Sequence, residues 1–149
     1  MNIYLDVCCL NRPFDDQNQD RIHLEAEAVL SILSRCQKDE WNLAASEVIE
    51  WEISRSSNIE KREKVRILYA LAKQSHRISI TKTVENRAIA LQQFGLKTLD
   101  SLHLASAEEG RQDVLLTTDD RFLSAAKKAD PAITVANPVN WLMEVKKNG

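Results

Sequence analysis

Acidic residues stand directly after several short apolar runs of this chain, far apart in sequence. Asp6 follows Ile3-Tyr4-Leu5, Glu50 and Glu52 come soon after Trp41 to Ala45, Asp100 follows Leu99, and Asp119-Asp120 follow Val114 to Thr118. At the C-terminal ends of parallel strands such side chains can converge on one crevice. Carboxylates that close repel one another unless they share a hard cation such as Mg²⁺ or Mn²⁺. A divalent ion held by oxygen ligands points in turn to phosphate chemistry. Each acid also has a local alternative. Asp6 and Asp119 are candidate N-caps, Asp120 can stand in for Asp119, and Asp100 suits the positive end of a helix dipole. Their coincidence at successive element junctions favours one shared site.

The elements that must position these acids follow from periodicity. Residues 2–5 read as a buried strand, followed by a polar loop through Asn11-Arg12-Pro13-Phe14-Asp15-Asp16. From Arg21 to Lys38 the apolar residues Ile22, Ala26, Val29, Leu30, Leu33 and Cys36 recur at helical spacing. Trp41 to Ala45 is a strand, and Ser46 caps a helix running to about Ser54. The spacing then predicts helix from Ile59 to Gln74, strand from Ile78 to Thr81, helix from Thr83 to Phe94, and a helix from Thr98 to Glu109 capped by Thr98. A strand at Val114-Leu115-Leu116, a helix from Asp119 to Ala129, a strand at Ile133-Thr134-Val135 and a last helix opened by Pro138 complete the chain. Strands alternating with helices define the α/β class, with a parallel sheet covered on both faces. No linker divides residues 1–149, so a single domain is expected.

Composition and missing motifs narrow the chemistry. The net charge of −2 lacks the basic footprint of a protein that simply coats nucleic acid. With glycines only at 95, 110 and 149, the chain has neither a dinucleotide-binding loop nor a P-loop. His23, His76 and His103 lack zinc spacing, and no serine stands in a nucleophile elbow. His103 shares a helical face with Asp100, so it either orients a ligand or packs as a structural histidine. Cys8, Cys9 and Cys36 are expected as reduced thiols, with Cys9 and Cys36 in the core. Lys61, Arg62, Lys64 and Arg66 read first as a solvated helix face and second as a phosphate-binding stripe. No apolar stretch is membrane-spanning and no leader pattern opens the chain, so the cytoplasm is the default location.

Four segments carry a resemblance to a known family. Ile3-Tyr4-Leu5-Asp6, Ser46 to Ile53, Leu99-Asp100-Ser101-Leu102-His103-Leu104-Ala105 and Leu116-Thr117-Thr118-Asp119-Asp120-Arg121-Phe122 resemble, in order, the signature blocks of PIN domains. The resemblance implies a three-layer α/β/α fold around a five-stranded parallel sheet. It also implies a Mg²⁺- or Mn²⁺-dependent ribonuclease, often the toxin of a VapC-like toxin–antitoxin pair and often a homodimer. Carried onto this chain, the catalytic and metal-binding acids are Asp6, Glu52, Asp100 and Asp119. Ser46 and Ile53 frame Glu52 as the second acid, whereas counting from Ala44 selects Glu50.

Cys8 departs from the family pattern, which commonly has Ser, Thr or Asn at that position. A thiol is a poor ligand for a hard cation, so Asn11 or Thr118 is expected to supply the polar contact. Arg12 is a candidate phosphate contact, with a solvated surface arginine as the alternative. The expected substrate is RNA, cut to leave a 5′-phosphate and a 3′-hydroxyl, and the expected partner is a cognate antitoxin. Two competing readings are a PIN-like protein-binding module with little catalysis and, more distantly, a phosphoacceptor receiver domain. The latter wants an acidic pair after the first strand, where this chain has Asp6 alone.

Overall fold

A computed structural model describes residues 1–148. Its elements are β1 (Asn2–Leu5), α1 (Val7–Asn11), a 3₁₀ turn (Arg12–Phe14), α2 (Asp20–Gln37), β2 (Asn42–Ser46), α3 (Glu47–Ser54), α4 (Ile59–Tyr69) and β3 (Lys73–Ile78). There follow α5 (Lys82–Gln92), α6 (Thr98–Glu109), β4 (Val114–Leu116), α7 (Asp120–Ala129), β5 (Thr134–Ala136) and α8 (Pro138–Asn148). All strand pairs are parallel, in the order β3-β2-β1-β4-β5, and the helices form the outer layers of an α/β/α fold. Among the described residues no helix is long and apolar enough to cross a membrane.

Strand order explains where a site can form. The chain works outward from β1 to β3 and then returns to place β4 on the other flank of β1. Connections therefore leave β1 and β4 in opposite directions, which opens a crevice at their C-terminal ends. Ile3, Tyr4 and Leu5 of β1 and Leu115 and Leu116 of β4 are fully buried, as strands covered on both faces must be. Leu5 pairs with Leu116, and the Asp6 N–H donates to the Leu116 carbonyl at 3.0 Å. Asp6 thus leaves the sheet beside Thr117, Thr118 and Asp119.

The structure departs locally from the sequence reading. Residues after β1 are helical rather than a plain loop, because Pro13 lies in the first turn of the 3₁₀ segment, where its missing N–H is harmless. Helix α4 ends at Tyr69, and β3 begins at Lys73, five residues before the expected strand. As an edge strand, β3 pairs through its backbone and exposes Gln74, Ser75, His76 and Arg77, so no apolar alternation marks it. Thr98 is the first residue of α6 rather than its cap; Lys97 holds that position without a side-chain bond. On α2 the buried face contains Ala26, Val29, Leu33 and Cys36, whereas Leu30 is exposed. All three cysteines are free, Cys9 and Cys36 in the core and Cys8 half-buried.

Candidate metal centre

Asp6 occupies the N-cap position of α1 but makes no side-chain capping hydrogen bond. Its Oδ2 instead accepts the Thr117 hydroxyl at 3.0 Å and the Cys8 thiol at 3.4 Å. Cys8 Sγ also lies 3.3 Å from Thr117 Oγ1 and accepts the Thr118 N–H at 3.4 Å, tying β1 to the end of β4. The hydroxyl beside Asp6 therefore comes from Thr117, not from Asn11 or the Thr118 side chain. Thr117 is fully buried at the end of an apolar strand, a place where sequence pattern alone assigns no polar duty.

Glu52 approaches Asp6 from α3, and His103 joins them from α6. His103 Nε2 is 2.7 Å from Glu52 Oε1 and 3.7 Å from Asp6 Oδ1. Single ligand atoms of Asp6, Glu52 and His103 all fall within 4.8 Å of one another. An ionised carboxylate only accepts, so His103 Nε2–H is the donor to Glu52. On the other side of the ring, Nδ1 is 2.7 Å from the Tyr4 hydroxyl, itself 3.0 Å from Ser46 Oγ. Ser46 also caps α3, accepting the Val48 N–H at 3.1 Å. A buried polar chain thus runs from Glu52 through His103 and Tyr4 to the start of the helix that carries Glu52. Burial opposes charge on His103, but the Glu52 hydrogen bond and the charges of Asp6, Glu52 and Asp100 outweigh it and raise its pKa. Burial likewise raises the Tyr4 pKa, keeping its proton in the chain.

Asp100 lies in the first turn of α6, half-buried and three residues before His103. Burial is the main cause that lifts its pKa to about 6, followed by repulsion from Asp6 and Asp119, while His103 opposes the shift and Glu52 adds to it. Asp119 does cap α7, accepting the Arg121 N–H at 2.9 Å and the Phe122 N–H at 3.3 Å, but only through Oδ1. Asp120 is exposed and bound by Arg21 at 2.8 Å, which removes it as the alternative to Asp119.

The choice at α3 has a clear geometry. Glu50 accepts the Tyr69 hydroxyl at 2.7 Å and Arg77 Nε at 2.8 Å. Burial would raise its pKa, but Arg77 and Tyr69 hold it below the usual carboxylate range. Glu50 is committed to β3 and α4, and Glu52 is the acid that meets Asp6. Of the other cationic candidates, all but Arg62 are firmly committed. Arg12 binds Asp15 and Glu25, each at 2.9 Å, so it is neither a free phosphate contact nor a solvated surface residue. Lys61 pairs with Asp15, Lys64 with Glu60 at 3.5 Å and Arg66 with Glu63 at 2.7 Å.

Among the described residues, no lysine or arginine forms an ion pair with Asp6, Glu52, Asp100 or Asp119. Hard oxygen donors without a lysine or arginine partner suit a divalent ion such as Mg²⁺ or Mn²⁺. His103, committed through both nitrogens, is placed to orient Glu52 rather than to ligate. A depression of about 610 Å³ lies elsewhere, lined by Asn2, Asn42, Lys73 and His76 toward the other end of the sheet. It contains none of these acids.

Comparison with known proteins agrees with this architecture. The PIN domain family matches residues 3–128, and the chain belongs to that family. No curated protein matches it. Its fold is similar to a chain in the crystal structure of VapBC2 from Rickettsia felis bound to a DNA fragment from their promoter. That likeness has a TM-score of 0.57 at 15% identity, covering 92% of this chain and 98% of that one. PAE2754 from Pyrobaculum aerophilum gives a TM-score of 0.56 at 14% identity, covering 99% of this chain and 90% of that one.

Proposed function

We propose that the chain is a Mg²⁺- or Mn²⁺-dependent ribonuclease, with Asp6, Glu52, Asp100 and Asp119 as its metal ligands and catalytic acids. The observation that carries this reading is the meeting of Asp6 and Glu52 at a buried crevice, with the charges of both and of Asp119 bearing on Asp100 and no lysine or arginine paired to any of them. A bound divalent ion would offset that charge, lower the pKa of an attacking water and stabilise negative charge on a phosphodiester.

The chain's own part is preorganisation. Thr117 and Cys8 hold Asp6, His103 holds Glu52, and Tyr4 holds His103, so Asp6 and Glu52 are fixed before substrate arrives. No side chain is required as a nucleophile. Hydrolysis would leave a 5′-phosphate and a 3′-hydroxyl. Asp6→Asn and Asp100→Asn should each abolish Mn²⁺-stimulated cleavage of single-stranded RNA while circular dichroism shows a folded protein. Undiminished cleavage in both variants would end the assignment.

The biological setting proposed is that of a single-domain, cytoplasmic toxin in a type II toxin–antitoxin pair, acting as a homodimer. PIN family membership and the fold likeness to the VapBC2 structure support it. The test is co-expression with the product of the adjacent gene. Relief of growth arrest and co-purification are expected, and a partnerless nuclease would show neither.

A further inference from the structure

A cavity of about 330 Å³ beside the acids is unused by the chemistry above. It lies among α1, α3 and α4 and shares Glu52 with the candidate metal centre. Val65 and Leu99 contribute an apolar lining, while Trp51, Arg55 and Arg62 contribute an aromatic and two cations. The volume is at the low end of the range for small-ligand sites, about 300–1,000 Å³.

The two arginines differ from the other cations of this region. Lys61, Lys64 and Arg66 each pair with a carboxylate. Arg62 is only 24% exposed; its Nε forms a loose ion pair with Glu63 at 3.6 Å but is buried without a hydrogen-bond partner. A buried N–H left unpaired calls for an acceptor. Arg55 stacks on the Trp51 ring, 5.1 Å from its centroid, and forms no ion pair among the described residues. Trp51 is 51% exposed and lines the cavity, so an aromatic surface is available there for stacking. Cations beside a half-exposed indole form the combination that holds single-stranded nucleic acid, through phosphate contacts and base stacking.

Resting on the ribonuclease reading, we infer that this cavity binds the RNA nucleotide next to the bond cut at the acidic centre. Its base packs on Trp51 and the apolar lining, and its phosphate is held by Arg62 and Arg55. Continuity through Glu52 makes the two sites one track. The acids alone would repel the strand, so the arginines supply an anchor that does not depend on them.

The test is anisotropy of a fluorescein-labelled single-stranded RNA in the Asp6→Asn background, at several salt concentrations, with cleavage kinetics in the intact background. Trp51→Ala and Arg62→Ala should each raise Kd about tenfold. Arg62→Ala should also lower the slope of log K against log salt by about 1. Arg62→Lys keeps the charge and the stem, so it guards against misfolding; it should retain the salt slope yet bind more weakly. Arg66→Ala, on the same helix but hydrogen-bonded to Glu63 at 2.7 Å and outside the cavity lining, should leave Kd unchanged within about twofold. In the intact background KM should rise for the Trp51 and Arg62 variants.

If Asp6→Asn stops cleavage but Kd and KM ignore Trp51 and Arg62, the subsite is wrong and the nuclease reading stands. If binding depends on Trp51 and Arg62 but no metal-dependent cleavage occurs, the subsite stands as an RNA groove and the nuclease reading falls.

Discussion

Two acidic centres are buried in this molecule, and they are balanced in opposite ways. Glu25 of α2 is 1% exposed, yet its oxygens receive Arg12 Nε at 2.9 Å, Arg21 Nε at 3.2 Å and Asn137 Nδ2 at 2.6 Å. Arg21 continues to the Thr118 carbonyl and Asp120, so this cluster braces the corner that carries Asp119. The centre around Asp6 buries comparable charge but has only His103, a hydroxyl and a thiol for company. An acid buried to join elements brings its cation within the chain. One buried without a lysine or arginine partner fits the metal site proposed above.

The contrast is sharpest in activity. Asp6→Asn should reduce Mn²⁺-stimulated RNA cleavage to background, whereas Glu25→Gln should retain metal-dependent cleavage wherever it remains folded. Loss of metal dependence in both variants would erase the distinction between the centres.

Stability should then change with opposite sign. Glu25→Ala leaves Arg12 without its buried partner and should cost about 3 kcal/mol in urea unfolding, the low end for a broken buried pair because Arg21 is half in water. Asp100→Asn removes a repelled charge and should stabilise the metal-free protein by about 1 kcal/mol, while preventing stabilisation by Mn²⁺. A destabilised Asp100→Asn protein would mean that the carboxylate is structural.

Acidity provides a finer test. The Asp100 carboxyl titrates near 6 when folded, above its ordinary 3.8, so the folded state binds the extra proton between those values. Its contribution is present below about pH 4 and lost as pH rises through about 6. Melting curves of the metal-free protein should show this loss relative to Asp100→Asn. With Mn²⁺ the trend should reverse, since ligation needs the carboxylate deprotonated. The smallest effect is expected at Tyr4→Phe, which removes the hydroxyl beside His103 Nδ1 and should cost about 1 kcal/mol, with a modest fall in kcat.

The fold and the placement of the acids at element ends were legible, and of the four predicted acids Asp6 and Glu52 have ligand atoms within 4.8 Å of each other. Asp6, Asp100 and Asp119 lie at junctions that apolar periodicity exposes, and the α/β alternation implies a shared crevice. Glu50 and Glu52 could not be separated, since residues two apart on a helix face opposite sides and the sequence does not say which side meets the crevice. Tyr69 and Arg77, distant in sequence, resolve it by claiming Glu50. Tyr4 and Thr117 were illegible as parts of the site because their polar groups lie in or just beyond buried strands and acquire partners only through tertiary contact. The edge strand β3 was hidden for the converse reason: its polar side chains face water while its backbone alone joins the sheet.

Calorimetric titration of the metal-free protein with Mn²⁺ near neutral pH tests the central claim most directly. Saturable binding in the wild type, absent from Asp6→Asn and retained in the folded fraction of Glu25→Gln, is the predicted result. A wild type that takes up no Mn²⁺, or an Asp6→Asn variant that binds as well as the wild type, would contradict it.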